Sequence, residues 1–506
     1  MFRERRSLVG PVAGLIVIAA AAMIILGGST RKAGGPTDSG TGGPTDSGAV
    51  ASAAAAGPSA TGTATSFGSE PSRAPTPAAT GAIPPSTPSA SPSPASAVIV
   101  PGSVNATSID LAAEYTATVR LSFASRNFVV ATTIGVTNTS GTAIDRLELN
   151  TIAARLGAMT LTTARVDGVA VHATVTDQTI HLPLGGILEP GASATVRIGY
   201  RATLRSDTSG SNWLFTRANG ILEAHRWIPW ISRPTAFSRP NHGDPFVTPV
   251  SPRVRVTIMA DRRIVWATTG EQTSPTAATM TFEATNVRDF ALVGAPDFRR
   301  TTTTVGSVSV RVLARPGFAA STVLAAARTA LSREAALLGA YPYRTYELAQ
   351  TAGGYGMESP GLTWIPTGAA NLSYLVAHET GHQWFYGIVG NDQARQPFAD
   401  EAATDFVARY VLGLRRASGC STARLDLTIY QYSRACYYED IYIQGGNLLD
   451  DTRKRMGSTA FWAAVRDYLR ANRFGLTTTR RLLDTLDGHT PLDLRTRFAP
   501  RFPSLY

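Results

Sequence analysis

Lysine is almost absent from this chain. Of its 506 residues only Lys32 and Lys454 are lysines, so the net charge of +11 rests on arginine. The arginines are scattered and form no long basic run, which leaves a nucleic-acid-binding function without its electrostatic footprint. Cysteine is nearly missing too, with Cys420 and Cys436 as the whole supply. A zinc site built on that pair would need two further ligands nearby. In an oxidising compartment the two are expected to join as a disulfide. Helical periodicity is nearly absent from about 105 to 300, which argues against a helical bundle there. The hydrophobic share, 43%, is ordinary for a globular protein, and the length is enough for two to four domains.

The amino terminus carries what the rest lacks, a long uncharged apolar run. Arg3, Arg5 and Arg6 precede it, and Leu8 to Leu26 is mostly apolar. As a helix that stretch would be about 29 Å long, the thickness of a bilayer core. Residues 1–30 are therefore expected to be a signal-anchor, with residues 8–26 in the lipid bilayer of the cytoplasmic membrane and the folded part outside it as a single-pass protein. Secretion after signal cleavage is the alternative. Residues 31–104 are built from Gly, Pro, Ser, Thr and Ala, and "GGPTDSG" occurs twice, at 34–40 and 42–48. Such a segment cannot bury enough apolar surface to offset its ordering entropy and reads as a disordered spacer.

From 105 to 300 polar and apolar residues alternate, as in "TVRLSF" (118–123) and "RVRVTI" (253–258), and "RVDGVAVHATV" (165–175) has the form of a hairpin around Asp167-Gly168. An antiparallel β domain, sandwich-like or saddle-like, is expected. The texture changes near 316. "ASTVLAAARTALSREAALLG" (320–339) places Val323, Leu324, Ala327, Leu331, Ala335 and Leu338 on one helical stripe. A strand over 341–351 and a glycine-rich loop over 353–361 follow, then helices over 371–387, 400–414, 442–456, 458–472 and 478–487. The whole is an α+β multidomain chain whose mainly helical part spans 301–506.

Within "YLVAHETGHQWFYG" (374–387), His378 and His382 are four residues apart. On a helix they share a face and can share one metal ion. Glu379 sits about 100° round the helix, beside the open coordination position. Zinc lowers the pKa of a bound water to about 7, and a neighbouring carboxylate can take its proton. Two histidines do not complete a catalytic zinc site. The third ligand is expected from "FADEAATDFVARYV" (398–411), where Glu401 lies nineteen residues after His382. Asp405, one turn further, is expected to hold the free ring nitrogen of a ligand histidine.

"HETGHQWF" (378–385) followed by "DEAATDFVARY" (400–410) resembles the M1 family of gluzincin aminopeptidases, whose pattern is HExxH, eighteen residues, then Glu. The resemblance implies a thermolysin-like catalytic domain with one zinc per chain on His378, His382 and Glu401, and Glu379 as general base. It also implies that Gly356, Met357 and Glu358 of "YGMESPG" (355–361) form the substrate-binding loop whose glutamate grips a free α-amine. Tyr355 stands there for the family's glycine and Ser359 for its asparagine. "YIQGG" (442–446) matches the family's Tyr-x-Lys-Gly with Gln444 for lysine, which makes Tyr442 the oxyanion donor. "GILEAHRW" (220–227) suggests Glu223 as a second amine-binding acid.

These readings point to a membrane-anchored zinc aminopeptidase that removes N-terminal residues from peptides with a free N-terminus outside the cytoplasmic membrane. A zinc endopeptidase of the same fold is the alternative, since larger family members continue into a C-terminal helical domain and this chain ends at Tyr506. A surface binding module with a non-catalytic zinc is the third, against which Glu379 and Tyr442 argue.

Overall fold

The computed structural model describes residues 99–239, 243–275 and 279–506. The expected anchor and nearly all of the expected spacer lie outside the described residues. No helix among the described residues is long and apolar enough to cross a membrane. Ordered pairing begins ahead of residue 105, because Val100 already exchanges backbone hydrogen bonds with Ile187. From Ile99 onward the described residues make one compact unit.

The alternation in the first half becomes strands. In Leu111–Leu121 every second residue, from Leu111 through Tyr115 to Leu121, is buried. This is the period-two signature of a sheet with one wet face. The strand pairs antiparallel with Asn127–Asn138, which pairs with Ser193–Thr203 in an eight-stranded sheet. The expected hairpin forms, with Val166 opposite Val169 and positive φ at both turn residues, Asp167 (48°) and Gly168 (84°). The sheet is not purely antiparallel as expected, because Leu111–Leu121 runs parallel to Val254–Ala260. The chain passes through strands of two four-stranded sheets between those strands and returns beside Leu111–Leu121, on the side away from Asn127–Asn138, in the same direction. The three sheets close on one core that holds Tyr115, Phe128, Phe215, Trp227 and Trp230.

The second half opens with a five-stranded mixed sheet in the order Arg299–Val305, Val308–Ala314, Thr345–Gln350, Leu362–Ile365, Met357–Ser359. The last of these was expected to be loop; Glu358 pairs antiparallel with Thr363 and makes it an edge strand. Three residues are too few to display a period. After the short helix α1 (Ile152–Leu156) in the β half, the helices are α2 (Ala320–Leu338), α3 (Leu372–Gly381), α4 (Glu401–Leu412), α5 (Gly445–Met456), α6 (Ser458–Ala471), α7 (Thr479–Asp487) and α8 (Arg495–Phe498). They pack around a second core. Most of the α2 stripe is buried as expected, but Glu334 is buried with it and Ala335 only partly so. The segment between α4 and the turn before α5 has little regular structure, and Cys420 and Cys436 are joined there in a disulfide.

Candidate active site

Asn371 caps α3 by accepting the backbone N–H of Tyr374 at 3.1 Å. The helical period then sets His378 and His382 on one face. Their rings meet edge to face with centroids 4.8 Å apart, and their Nε2 atoms are 3.2 Å apart. Glu401, the first residue of α4, points to the same place, with Oε2 3.3 Å from His378 Nε2 and 3.4 Å from His382 Nε2. Among the described residues this buried trio is the set of acidic, histidine and cysteine side chains whose donors converge on one point.

The donor set fits zinc. Ligands at about 2.0–2.1 Å from a tetrahedral ion stand about 3.3 Å from each other, which matches the observed spacing. Glu401 Oε2 and Glu379 Oε2 are buried atoms with no hydrogen-bond donor, an arrangement that calls for a cation. Burial would raise Glu401, but the two imidazoles outweigh it and hold the carboxyl well below its ordinary value. Burial pushes Glu379 up to about 7, with His378 and His382 pulling against it.

Asp400 orients His382. Its Oδ1 is 2.9 Å from His382 Nδ1, and the backbone oxygen of Phe385 lies 3.2 Å from the same nitrogen. This corrects the expectation that gave the task to Asp405. The Asp405 carboxylate accepts the Tyr374 hydroxyl and pairs with Arg409 at 2.6 Å. Arg409 in turn reaches the carbonyls of Tyr442 and Ile443, both at 3.3 Å. Asp405 therefore braces the turn that carries Tyr442.

The loop from Thr351 to Glu358 closes the other side. Gly356 lies against the general-base candidate, and a Cβ there would sit 2.1 Å from Glu379 Oε1. Only glycine lets backbone and carboxylate approach so closely. Glu358 is buried, and its Oε1 accepts Gln393 Nε2 at 3.1 Å. Burial raises its carboxyl well above the usual range, with Asp244 adding to the effect. Met357 does not join Glu358. Neighbouring strand residues face opposite ways, and Met357 packs into the core of the β half. Glu223 is fully buried, and its two oxygens accept the Thr351 hydroxyl at 2.8 Å and the Ala352 N–H. It holds the base of the loop from the β half. Burial pushes it up to about 8 against those hydrogen bonds.

Tyr442 lies on a wide helical turn, Tyr438–Gln444, that runs into α5. Its ring stacks on His378. Burial raises its hydroxyl well above the usual value, and the Glu401 carboxylate beside it adds to this. Two glycines bring this turn close to α4. A Cβ on Gly445 would lie 2.6 Å from Ala402 Cβ, and one on Gly446 2.0 Å from an Arg409 nitrogen. The disulfide sits just before the turn, and Glu439 accepts the Cys420 N–H at 2.8 Å. Sequence reasoning missed Asp400, Gln393, Asp244 and Tyr437, whose buried hydroxyl feels the Glu401 and Asp244 charges. Of these only Asp400 had a signal, its place directly before the third ligand.

No family model and no curated protein matches the sequence. Solved structures do share its fold. A point mutant of an M1 zinc metallopeptidase from Deinococcus radiodurans aligns with a TM-score of 0.61 at 18% identity, covering 77% of this chain and 94% of that one. The unmutated enzyme gives 0.59 and 18%, over 78% and 94%. The mutant bound to a Tyr-Ser-Ala substrate gives 0.59 and 19%, over 78% and 94%. Fold and donor set together define a class, a multi-sheet β half followed by a helical half with a buried His–His–Glu centre suited to a metal ion. The chain has the fold of the M1 zinc metallopeptidases.

Proposed function

We propose that this chain is a zinc aminopeptidase of the M1 family, with a thermolysin-like helical half, acting on peptides outside the cytoplasmic membrane. One observation carries the reading. The convergence of His378, His382 and Glu401 is flanked on one side by Glu379 against Gly356 and on the other by the stacked Tyr442. Zinc held by the three ligands would supply an activated water and polarise the scissile carbonyl. Glu379 Oε2 takes the proton of the attacking water and passes it to the leaving amine. The Tyr442 hydroxyl donates to the carbonyl oxygen as negative charge builds there. Glu358 holds the substrate's ammonium group, which fixes the first peptide bond within reach of Glu379 and Tyr442. The apolar run at residues 8–26 and the Cys420–Cys436 disulfide support an extracytoplasmic site.

The test uses the purified full-length chain, metal analysis, and paired peptides with free and acetylated N-termini. One zinc per chain and cleavage confined to the free-amine peptides are expected. Glu358→Gln should raise KM for them about tenfold or more. Equal cleavage of acetylated peptides would replace this reading with that of an endopeptidase. Protease accessibility on intact cells tests the location.

A further inference from the structure

Gln393 lies between α3 and α4 and is buried. Its amide nitrogen donates to two carboxylates at once, 3.1 Å to Glu358 Oε1 and 2.6 Å to Asp400 Oδ2. The other oxygen of Asp400 faces His382 Nδ1. One side chain therefore joins the acid that faces the substrate amine to the acid that orients a ligand imidazole. The amide cannot turn over. Its oxygen faces Arg226 Nη2 at 3.4 Å. That guanidinium is itself fixed by Thr248 Oγ1 at 3.0 Å, the Tyr386 hydroxyl at 2.8 Å and the face of the Phe246 ring at 4.1 Å. The reversed amide would set its oxygen against two carboxylates and its N–H groups against a guanidinium.

We propose that Gln393 is a positioning residue that registers the amine-holding carboxylate of Glu358 against the His382–Asp400 pair. The proposal rests on the aminopeptidase reading above. The chemistry of the position favours this residue type. Two buried carboxylates repel each other, and each needs a donor. A cation between them would compete with the substrate's ammonium and draw Asp400 away from His382. A third carboxylate would add to the repulsion. A neutral amide with two N–H donors serves both acids and adds no charge of its own, and asparagine is too short to reach both.

Full-length Gln393→Leu and Gln393→Asn variants test this, with Glu358→Gln in parallel. The readouts are kcat and KM on a free-amine aminoacyl substrate and zinc affinity by chelator competition. Both Gln393 variants should raise KM about tenfold, with a smaller change in kcat, and should weaken zinc binding about tenfold through the loosened Asp400. If Gln393→Leu does not fold, Gln393→Asn decides. KM and zinc affinity both within about twofold of the parent would overturn the proposal, as would a fall in kcat alone, which marks a merely structural role. Glu358→Gln separates the two failures. If it raises KM while the Gln393 variants do not, only this inference fails; if it too leaves KM unchanged, the aminopeptidase reading fails first.

Discussion

The ring of Tyr442 lies over the ring of His378, with centroids 5.4 Å apart and planes 24° from parallel. The stack uses the face of the ring and leaves the hydroxyl beside the Glu401 carboxylate, where the proposed mechanism needs it. Tyr442→Phe should therefore keep the zinc content and Tm while kcat falls about 10²–10³-fold and KM barely moves. Steady-state kinetics with metal analysis on one preparation checks this. Loss of zinc in the variant would show that the hydroxyl serves the centre's assembly instead.

Gly356→Ala places a methyl group where the Glu379 carboxylate now lies. The side chain must swing away from its position beside the metal ligands. A fall in kcat of about 10²-fold is expected, the scale of a lost general base, with a Tm shift of a few degrees at most. Unchanged kcat would mean that the loop yields and the carboxylate stays.

The two aspartates flanking Glu401 should separate cleanly. Asp400→Ala frees the His382 ring and should weaken zinc binding about 10–100-fold. Asp405→Ala leaves Arg409 buried without its ion-pair partner and should destabilise the fold by about 3–5 kcal/mol. It should bind zinc at near-parental affinity in the fraction that remains folded. Chelator titrations and thermal melts of both variants decide, and the reverse pattern would restore Asp405 to the imidazole.

Glu223 should make stability depend on pH. Its folded-state pKa of about 8 stands above its ordinary value of 4.5, so the folded protein holds this proton where the unfolded chain has lost it. The contribution is complete below pH 4.5 and declines as pH rises, until it is gone above about 8. It amounts to something on the order of a few kcal/mol. Tm measured across this window should fall more steeply in the parent than in Glu223→Gln, and identical slopes would contradict the assignment.

What the sequence disclosed follows from what periodicity can encode. A helical repeat fixes His378 and His382 on one face whatever surrounds them, so the ligand pair was legible. Glu401 was legible because its spacing is local to two adjoining helices. The orienting acid was misplaced because Asp400 precedes α4, where the preceding turn Pro397–Ala399 sets its direction and no period applies. Met357 and Glu358 lie on a strand too short to reveal which residue faces the site. Gln393 and Asp244 reach the centre from segments without regular structure, and only the tertiary fold brings them there. The parallel pairing of Leu111–Leu121 with Val254–Ala260 is likewise a matter of chain path, invisible to strand alternation.

Gly445 and Gly446 leave no slack between α5 and α4, since bare backbone meets Ala402 and Arg409 there. Glu401, proposed as the third metal ligand, and Tyr442, proposed as the donor to the substrate's oxygen, thus ride on closely packed elements. A bulkier residue at either glycine would wedge the two elements apart, and the damage would register in turnover and in melting temperature together.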